Sequence, residues 1–450
     1  MKDDVLRMAP SLGATREDVL RAQDRLKMRT IRREGRWMRL IWLLAGPGIL
    51  VMLGENDGPS MVSYATTGAT YGIGFFVPFI LLTFAMAYVV QEMAVRLGVA
   101  TQRGHAELIF QRFGPWWGYF AMWDLVFGNL LTLVTEFIAI QAGGLYFGFP
   151  AWVSVGFGVA AIILSLALRR YATWERVLLG LAVGNLLFIP AALFAHPSAV
   201  RLAHALLTWG PLPHKTGAAF FTLILANIGA TVTPWMIFFQ QSSVVDKGLT
   251  RHDLPEGRID TAIGAAIAAA CGIAALAAAA PLYRAHIDVS AFLSGADFAT
   301  ALKPLIGSTG ASLFALGIIE AGLLAAMTIS TSSSYALAET VSAKHSLNLD
   351  FSSGWVFYSA AILSALLAAA IVLIPGAPLL AMTLTVNVVA TLLMAPALLL
   401  LLLLANDHEI MGDLANGRLA NAAGGTIVVV ICLVGTLYGL ITVFPTWLGP

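Results

Sequence analysis

Charge is scarce in this chain. Asp, Glu, Lys and Arg make up 11% of its 450 residues, against about 25% in ordinary soluble proteins. The little charge present is unevenly placed: residues 1–40 carry 17 of the 51 charged side chains, and the other 410 residues share 34. With 58% hydrophobic residues and a mean hydropathy of +0.82, the body lacks the polar groups to cover a surface facing water. That excludes a soluble multi-domain chain and points to lipid as the solvent. Cysteine is nearly absent too. Cys271 and Cys432 lie in apolar runs with no spacing motif, so metal or disulfide chemistry through them is not expected. No early apolar core follows the charged N-terminus, so no cleavable signal peptide is expected. Histidine is missing from membrane depth: His105, His196, His204, His214, His252, His286, His345 and His408 all fall in loops or at span ends. A relay built on a mid-membrane imidazole is therefore unavailable. The net charge of +1 averages a basic tail with an apolar body. A membrane beside that tail explains its cations, and nucleic acid is not an expected partner.

What the sequence has instead is long apolar runs. Segments of about 17 or more such residues cross a ~30 Å hydrocarbon core as helices. Candidates lie near 41–69, 75–98, 117–147, 151–168, 175–195, 217–245, 259–283, 308–341, 355–374, 379–404 and 421–445. The expectation is an all-α integral membrane protein with eleven transmembrane helices. Loop charge tests the count. With the N-terminus inside, cytoplasmic segments hold 22 Lys and Arg: those of the tail, then Arg96, Arg103, Arg112, Arg169, Arg170, Arg176, Lys247, Arg251, Arg258, Lys344 and Arg418. The outer side receives Arg201, Lys215, Arg284 and Lys303. That asymmetry fits an inner-membrane protein with a cytoplasmic N-terminus and an external C-terminus. Residues 1–40 read as a basic cytoplasmic tail held by topology and anionic lipid.

Two spans are interrupted in corresponding ways. The first contains Glu55-Asn56-Asp57-Gly58-Pro59-Ser60, and the sixth contains Gly229-Ala230-Thr231-Val232-Thr233-Pro234. Five spans separate the breaks, so the chain reads as a first repeat over 41–195, a second over 217–404 and an added helix at 421–445. Paired breaks in inverted repeats mark a transporter's substrate site, and unwound backbone offers carbonyls to a cation where it faces a cavity.

Five carboxylates stand out at membrane depth: Glu55, Asp57, Asp124, Glu136 and Glu320. Each costs about 2.5–3.5 kcal/mol at the bilayer centre unless protonated, paired or met by a cation. Acids in excess favour a cation pathway over an anion one. Asp57 reads as a ligand. Glu55 either lines the same vestibule or is a neutral acid bonded to backbone. Asn129, Thr132 and Glu136 share one helical face, as a water-lined conduit or as a structural network. Asp124 and Glu320 read as structural. Asn185, Asn227 and Asn387 read as interhelical glue, with Asn387 the one expected to reach the site. The candidate pathway residues are thus Glu55, Asn56, Glu136, Asn129, Thr132 and Asn387.

The run Gly46-Pro47-Gly48-Ile49-Leu50-Val51 leading to Asp57, then Gly68-Ala69-Thr70-Tyr71-Gly72, resembles the first helix of the NRAMP metal-ion transporter family. The sixth-span break and Asn406-Asp407-His408-Glu409-Ile410-Met411-Gly412, with Asn416 and Asn421, resemble that family's other signatures. The resemblance implies a LeuT-type fold: two inverted five-helix repeats plus one helix, with helices 1 and 6 broken. Where transition-metal members read Asp-Pro-Gly-Asn, this chain has Asp57-Gly58-Pro59-Ser60. Their Met before the sixth-helix Pro is Thr233 here, and the His after it is Trp235. A thioether helps select soft ions, whereas a hydroxyl suits Mg²⁺, Ca²⁺ or Mn²⁺. Gly54-Glu55-Asn56-Asp57, Leu131 to Phe137, and Thr233 to Ser242 with Val245-Asp246-Lys247-Gly248 resemble the NRAMP-related branch associated with magnesium. Typical members of that branch carry Ala-Gly-Gly or similar after the acid.

The implied metal set is Asp57, the hydroxyls of Ser60 and Thr233, and the carbonyls of Gly54 and Ala230. Such a set suits a largely hydrated Mg²⁺; the structural alternative for both hydroxyls is helix-end capping. The expected function is secondary transport of a hard divalent cation, Mg²⁺ first and Mn²⁺ second. The expected partners are the ion and the lipid bilayer, with no resident cofactor and no obligate protein partner. The alternatives are a proton-coupled Mn²⁺/Fe²⁺ symporter, a carrier of a small organic solute, and a non-transporting sensor. No nucleophile–base arrangement or nucleotide motif suggests an enzyme.

Overall fold

The computed structural model describes Thr30 and residues 46–211, 218–292 and 294–443. The expected basic tail, Thr30 apart, and the start of the first span lie outside the described residues. The elements are helical throughout: α1 (Pro47–Glu55), α2 (Gly58–Tyr71), α3 (Phe76–Thr101), α4 (His105–Phe113), α5 (Pro115–Tyr146), α6 (Ala151–Leu166) and α7 (Tyr171–Ala182). A 3₁₀ segment, Val183–Leu187, leads into α8 (Phe188–Phe194), followed by α9 (Ala199–Thr208), α10 (Ala218–Gly229) and α11 (Pro234–Lys247). Then come α12 (Leu254–Arg284), α13 (Gly295–Thr340), α14 (Trp355–Val372), α15 (Leu379–Ala405), α16 (His408–Met411) and α17 (Arg418–Val443).

Nine helices or helix pairs among the described residues are long and apolar enough to cross a membrane. The two expected spans outside that number are α6, with 16 residues, and the α1–α2 pair, whose halves have 9 and 14 residues. Polarity runs inside out relative to a soluble protein. Trp116, Trp123, Leu164, Leu363, Leu419 and Leu433 face outward, while Thr328, Ser330, Thr331, Ser332 and Ser334 are fully buried. Most of those hydroxyls return to carbonyls one turn back on α13, which satisfies them without a neighbour. Ser332 instead donates to the carbonyl of Trp235 at 3.0 Å.

Within α13, Gly307 is non-helical (φ 78°, ψ 165°), so two helices meet there at a kink, and the second begins where the span at 308–341 is expected. Two stretches expected as loops hold the short helices α4 and α9. The latter starts at Ser198, whose side chain caps it by accepting from the Arg201 N–H. Packing is built around α13, which lies along α5, and around α12, which lies along α1, α2 and α3. Both broken pairs are therefore held inside the bundle.

Candidate metal centre

Local chemistry makes both breaks. At the first, α1 stops at Glu55, and Asp57 turns extended (φ −73°, ψ 172°). Its Oδ1 accepts from the Ser60 N–H at 2.8 Å, an N-cap bond that starts α2, with Pro59 in the first turn, where it is tolerated. At the second, Thr233 is extended (φ −125°, ψ 153°), as a residue before proline prefers, and Pro234 opens α11. Each break leaves end-of-helix carbonyls without partners in their own helix. Gly54 belongs to the last turn of α1 and supplies one of them. The Ala230 carbonyl, just past α10, accepts from the Tyr64 hydroxyl at 2.9 Å; a second lone pair remains on that oxygen.

The two breaks touch. Thr233 donates its hydroxyl to Glu55 Oε2 at 2.8 Å, and Gly58 donates its N–H to Glu136 Oε2 at 3.1 Å. The Ser60 hydroxyl and Glu136 both lie against the Asp57 carboxylate, and the Trp235 indole lies against Glu55. Glu55, Asp57 and Glu136 feel one another's charge. Glu55, Asn56, Asp57, Ser60, Glu136 and Thr233 are all buried. Four oxygens here have no well-formed hydrogen bond: Glu55 Oε1, Asn56 Oδ1, Ser60 Oγ and Glu136 Oε1. Buried acceptors are nearly always satisfied, so four such oxygens on residues of the first break and the α5 acid facing it make this a candidate place for a cation. No group of three His, Cys, Asp or Glu side chains with metal-binding geometry occurs among the described residues. The donor set is one of mixed carboxylate, hydroxyl and carbonyl oxygens.

Thr233, though the N-cap of α11, makes no side-chain cap bond, while Ser60 Oγ lies against the Asp57 carboxylate that caps α2. The expected polar stripe on α5 divides. Glu136 reaches the break, whereas Asn129 donates to Ser333 Oγ at 2.9 Å and Thr132 to the Gly128 carbonyl at 3.0 Å. Asn387 donates to Ser63 Oγ at 2.9 Å, one turn beyond Ser60. Asn227 donates to Thr67 at 2.8 Å, and Asn185 to Glu320 at 2.9 Å. Asn56 ties its amide to the Ala268 carbonyl at 2.9 Å.

Sequence reading missed four further buried acids: Glu175, Asp246, Asp260 and Glu339. Asp260 accepts from the Gly46 and Gly48 N–H groups at 3.0 and 2.7 Å, anchoring the start of α1. Lys247 forms an ion pair with Glu175 at 3.0 Å. Asp246 accepts from Tyr335 at 2.5 Å and Ser346 at 2.7 Å. Glu339 accepts from the Ala106 N–H at 3.0 Å and Ser242 at 2.9 Å. All lie near span ends on the α1 N-terminal side, where a carboxylate looks like ordinary surface charge. The clustering of Asp246-Lys247 with a span end was the available signal. These acids are partnered, which separates them from the orphans at the break.

A family model described as natural resistance-associated macrophage protein-like matches residues 48–442, which takes in both breaks. The chain belongs to the Nramp family. Among relatives of this Nramp chain is the "Divalent metal cation transporter MntH" of Erwinia tasmaniensis, 28% identical over 422 residues, covering 90% of this chain and 95% of the relative. The manganese transporter of Eremococcus coleocola superposes with a TM-score of 0.71 at 18% identity, over 89% of this chain and 87% of that one. A Na⁺-coupled sialic acid symporter superposes with a TM-score of 0.54 at 15% identity, over 88% and 89% of the two chains. The fold is of the LeuT type that such transporters share. The Nramp chain is a multi-pass membrane protein of a metal-transporter family and not an enzyme.

Proposed function

We propose that this Nramp-family protein carries a hard divalent cation, Mg²⁺ or Mn²⁺, across the inner membrane by alternating access, binding it between the two helix breaks. The observation that carries the reading is the group of four buried oxygens without a well-formed hydrogen bond at the first break and on Glu136. Asp57 supplies the charge. Ser60 and Thr233 supply hydroxyl oxygens, and Gly54 and Ala230 supply carbonyls. Thr233 donates its hydroxyl hydrogen bond to Glu55, which leaves its lone pairs for the ion. Glu55 and Glu136 then hold negative charge beside a cation that keeps part of its water, the usual arrangement for Mg²⁺. Oxygen donors of this kind suit Mg²⁺, Ca²⁺ and Mn²⁺ without thioether selection. Likeness to the manganese transporter of Eremococcus coleocola speaks for Mn²⁺, and Thr233 speaks for tolerance of Mg²⁺. The same reading takes residues 1–40 as a cytoplasmic tail, 41–195 and 217–404 as the two repeats that rock against each other, and 421–445 as an added helix ending outside.

The test is proteoliposome uptake of Mg²⁺, Mn²⁺ and Ca²⁺ in parallel, repeated with Asp57→Ala. Loss of flux in the variant is the expected result, and unchanged flux defeats the site. A second reading is transition-metal symport; its metal is favoured by the likeness in fold to the manganese transporter of Eremococcus coleocola. It prevails if micromolar Mn²⁺ or Cd²⁺ enters while millimolar Mg²⁺ neither competes nor enters.

A further inference from the structure

One buried carboxylate belongs neither to the breaks nor to the partnered networks at the α1 end. Glu320, on α13, is 6% exposed, and Asn185, its hydrogen-bond partner, is fully buried. Asn185 Nδ2 donates to Glu320 Oε2 at 2.9 Å. Glu320 Oε1 and Asn185 Oδ1 have no partner. Asn185 sits in the 3₁₀ segment Val183–Leu187, where the α7–α8 span departs from regular helix, and such mid-helix 3₁₀ stretches mark hinges. Gly184 makes the approach close: a Cβ there would lie 2.4 Å from Glu320 Cγ. Among the described residues, the Cys271 thiol of α12 is a titratable group that feels the charge of Glu320.

We propose that Glu320 and Asn185 form a proton-loading site, separate from the cation site at the breaks. The argument is chemical. A carboxylate in lipid costs several kcal/mol when charged and unpaired, and a Lys or Arg partner would lock it charged. An amide serves both states, because it carries donors and an acceptor on one group. With Glu320 ionised, the Asn185 N–H donates to it, as seen here. With Glu320 protonated, a half-turn of the amide lets the new O–H donate to Asn185 Oδ1. The proton comes from water and returns to water; no other bond is made or broken. A carboxyl–amide pair thus does what an imidazole would do, and the lack of mid-membrane histidine leaves proton coupling open to this chain. Placed at the 3₁₀ segment, loading alters the α13–Asn185 contact where the α7–α8 span is least regular.

As a coupling site the pair rests on the transport reading above, so the test has two arms. In proteoliposomes carrying the full chain, Mn²⁺ and proton entry are followed together across external pH. Wild-type uptake is expected to rise by up to about tenfold per unit of acidification, the limit for one titrating group, with proton entry alongside. In Glu320→Gln the pH profile flattens and proton entry is lost; Glu320→Asp restores part of both. Wild-type Mn²⁺ uptake with a flat profile and no proton entry overturns the proposal, as does proton entry that survives in Glu320→Gln. Uptake that tracks Na⁺ rather than pH, with Glu320→Gln abolishing that dependence, assigns the pair to a metal cation and overturns it too. The second arm is infrared difference spectroscopy of purified protein between acid and neutral pH, which needs no transport. A protonated-carboxyl band absent from Glu320→Gln and shifted in Asn185→Leu supports proton loading; an unchanged band in both overturns it. Absent Mn²⁺ uptake in wild type with the infrared result intact would fault the transport reading and leave the proton site standing.

Discussion

Thr233 and Glu55, 178 positions apart in the chain, meet through a 2.8 Å hydrogen bond between hydroxyl and carboxylate. That single contact joins the two helix breaks and sets the character of the space between them. A hydroxyl at 233 presents a hard oxygen and also orients the nearest carboxylate. Replacing it alters both functions at once, which makes this position the place to test ion choice.

Thr233→Met substitutes a soft sulfur for that hydroxyl. The ratio of Cd²⁺ to Mg²⁺ uptake is expected to rise about tenfold, equivalent to ~1.4 kcal/mol of differential binding, because thioethers favour softer ions. Parallel flux assays in proteoliposomes measure it. An unchanged ratio means that residue 233 does not touch the ion.

Gly58 lies where the first break meets α5. A Cβ there would fall 2.1 Å from Ala139 Cβ and 3.4 Å from Glu136 Oε2. Gly58→Ala should therefore cost about 1–3 kcal/mol through overpacking and push the break away from Glu136, lowering both the melting temperature in detergent and the uptake rate. Gly58→Ala combined with Ala139→Gly makes room again and should recover most of both. Failure of the double variant to recover would place the defect somewhere other than this contact.

The Lys247–Glu175 pair is nearly sealed from solvent, with side chains 8% and 6% exposed. Lys247→Met alone leaves a buried carboxylate without its cation and should destabilise by about 3–5 kcal/mol, whereas Lys247→Met with Glu175→Met should come close to wild type. Thermal unfolding of the three proteins decides the matter. Equal loss in the single and double variants would show that packing, not charge, holds this end.

His105 opens α4 outside the spans. It is fully buried, with Nδ1 2.7 Å from Gln241 Oε1 and its ring edge-on to Phe238. Burial lowers its imidazole to about 4, against a smaller opposing effect of the Gln241 bond. An unfolded histidine titrates near ~6.5. The folded state thus binds the proton less well than the unfolded one. Its contribution is complete above ~6.5 and is lost as pH falls toward about 4, by up to ~3 kcal/mol. Comparing melting at about pH 7.5 and about pH 5 should show a larger acid loss in wild type than in His105→Gln. Equal losses would assign acid sensitivity to other groups.

Much of the architecture was legible in the sequence for a local reason. A run of apolar residues without charge fixes its solvent wherever it folds, so long spans such as α3, α5 and α15 fall near their expected places. Asp57-Gly58-Pro59 carries its own instruction to stop one helix and start another. The α4 and α9 helices were less visible because short helices draw their stability from packing rather than propensity. Within the candidate site, Asp57 was legible from the first break, and Ser60 and Thr233 through the family resemblance. Glu55 and Glu136 could be named only as pathway residues, since nothing in the α5 sequence says that Glu136 turns to Gly58 while Asn129 turns to Ser333.

By itself the sequence determined the solvent, the two interruptions and the sign of the charge held at depth, because composition, proline and unbalanced acids act where they stand. Only the tertiary structure decided which acids are answered. Asp260 meets Gly48 across 212 positions, Glu339 meets Ala106 across 233, and Glu320 meets Asn185 across 135. The oxygens left over at Glu55, Asn56, Ser60 and Glu136 are known only once those pairings are made. A buried acceptor is satisfied or orphaned by what packs against it, and that depends on how the helices come together.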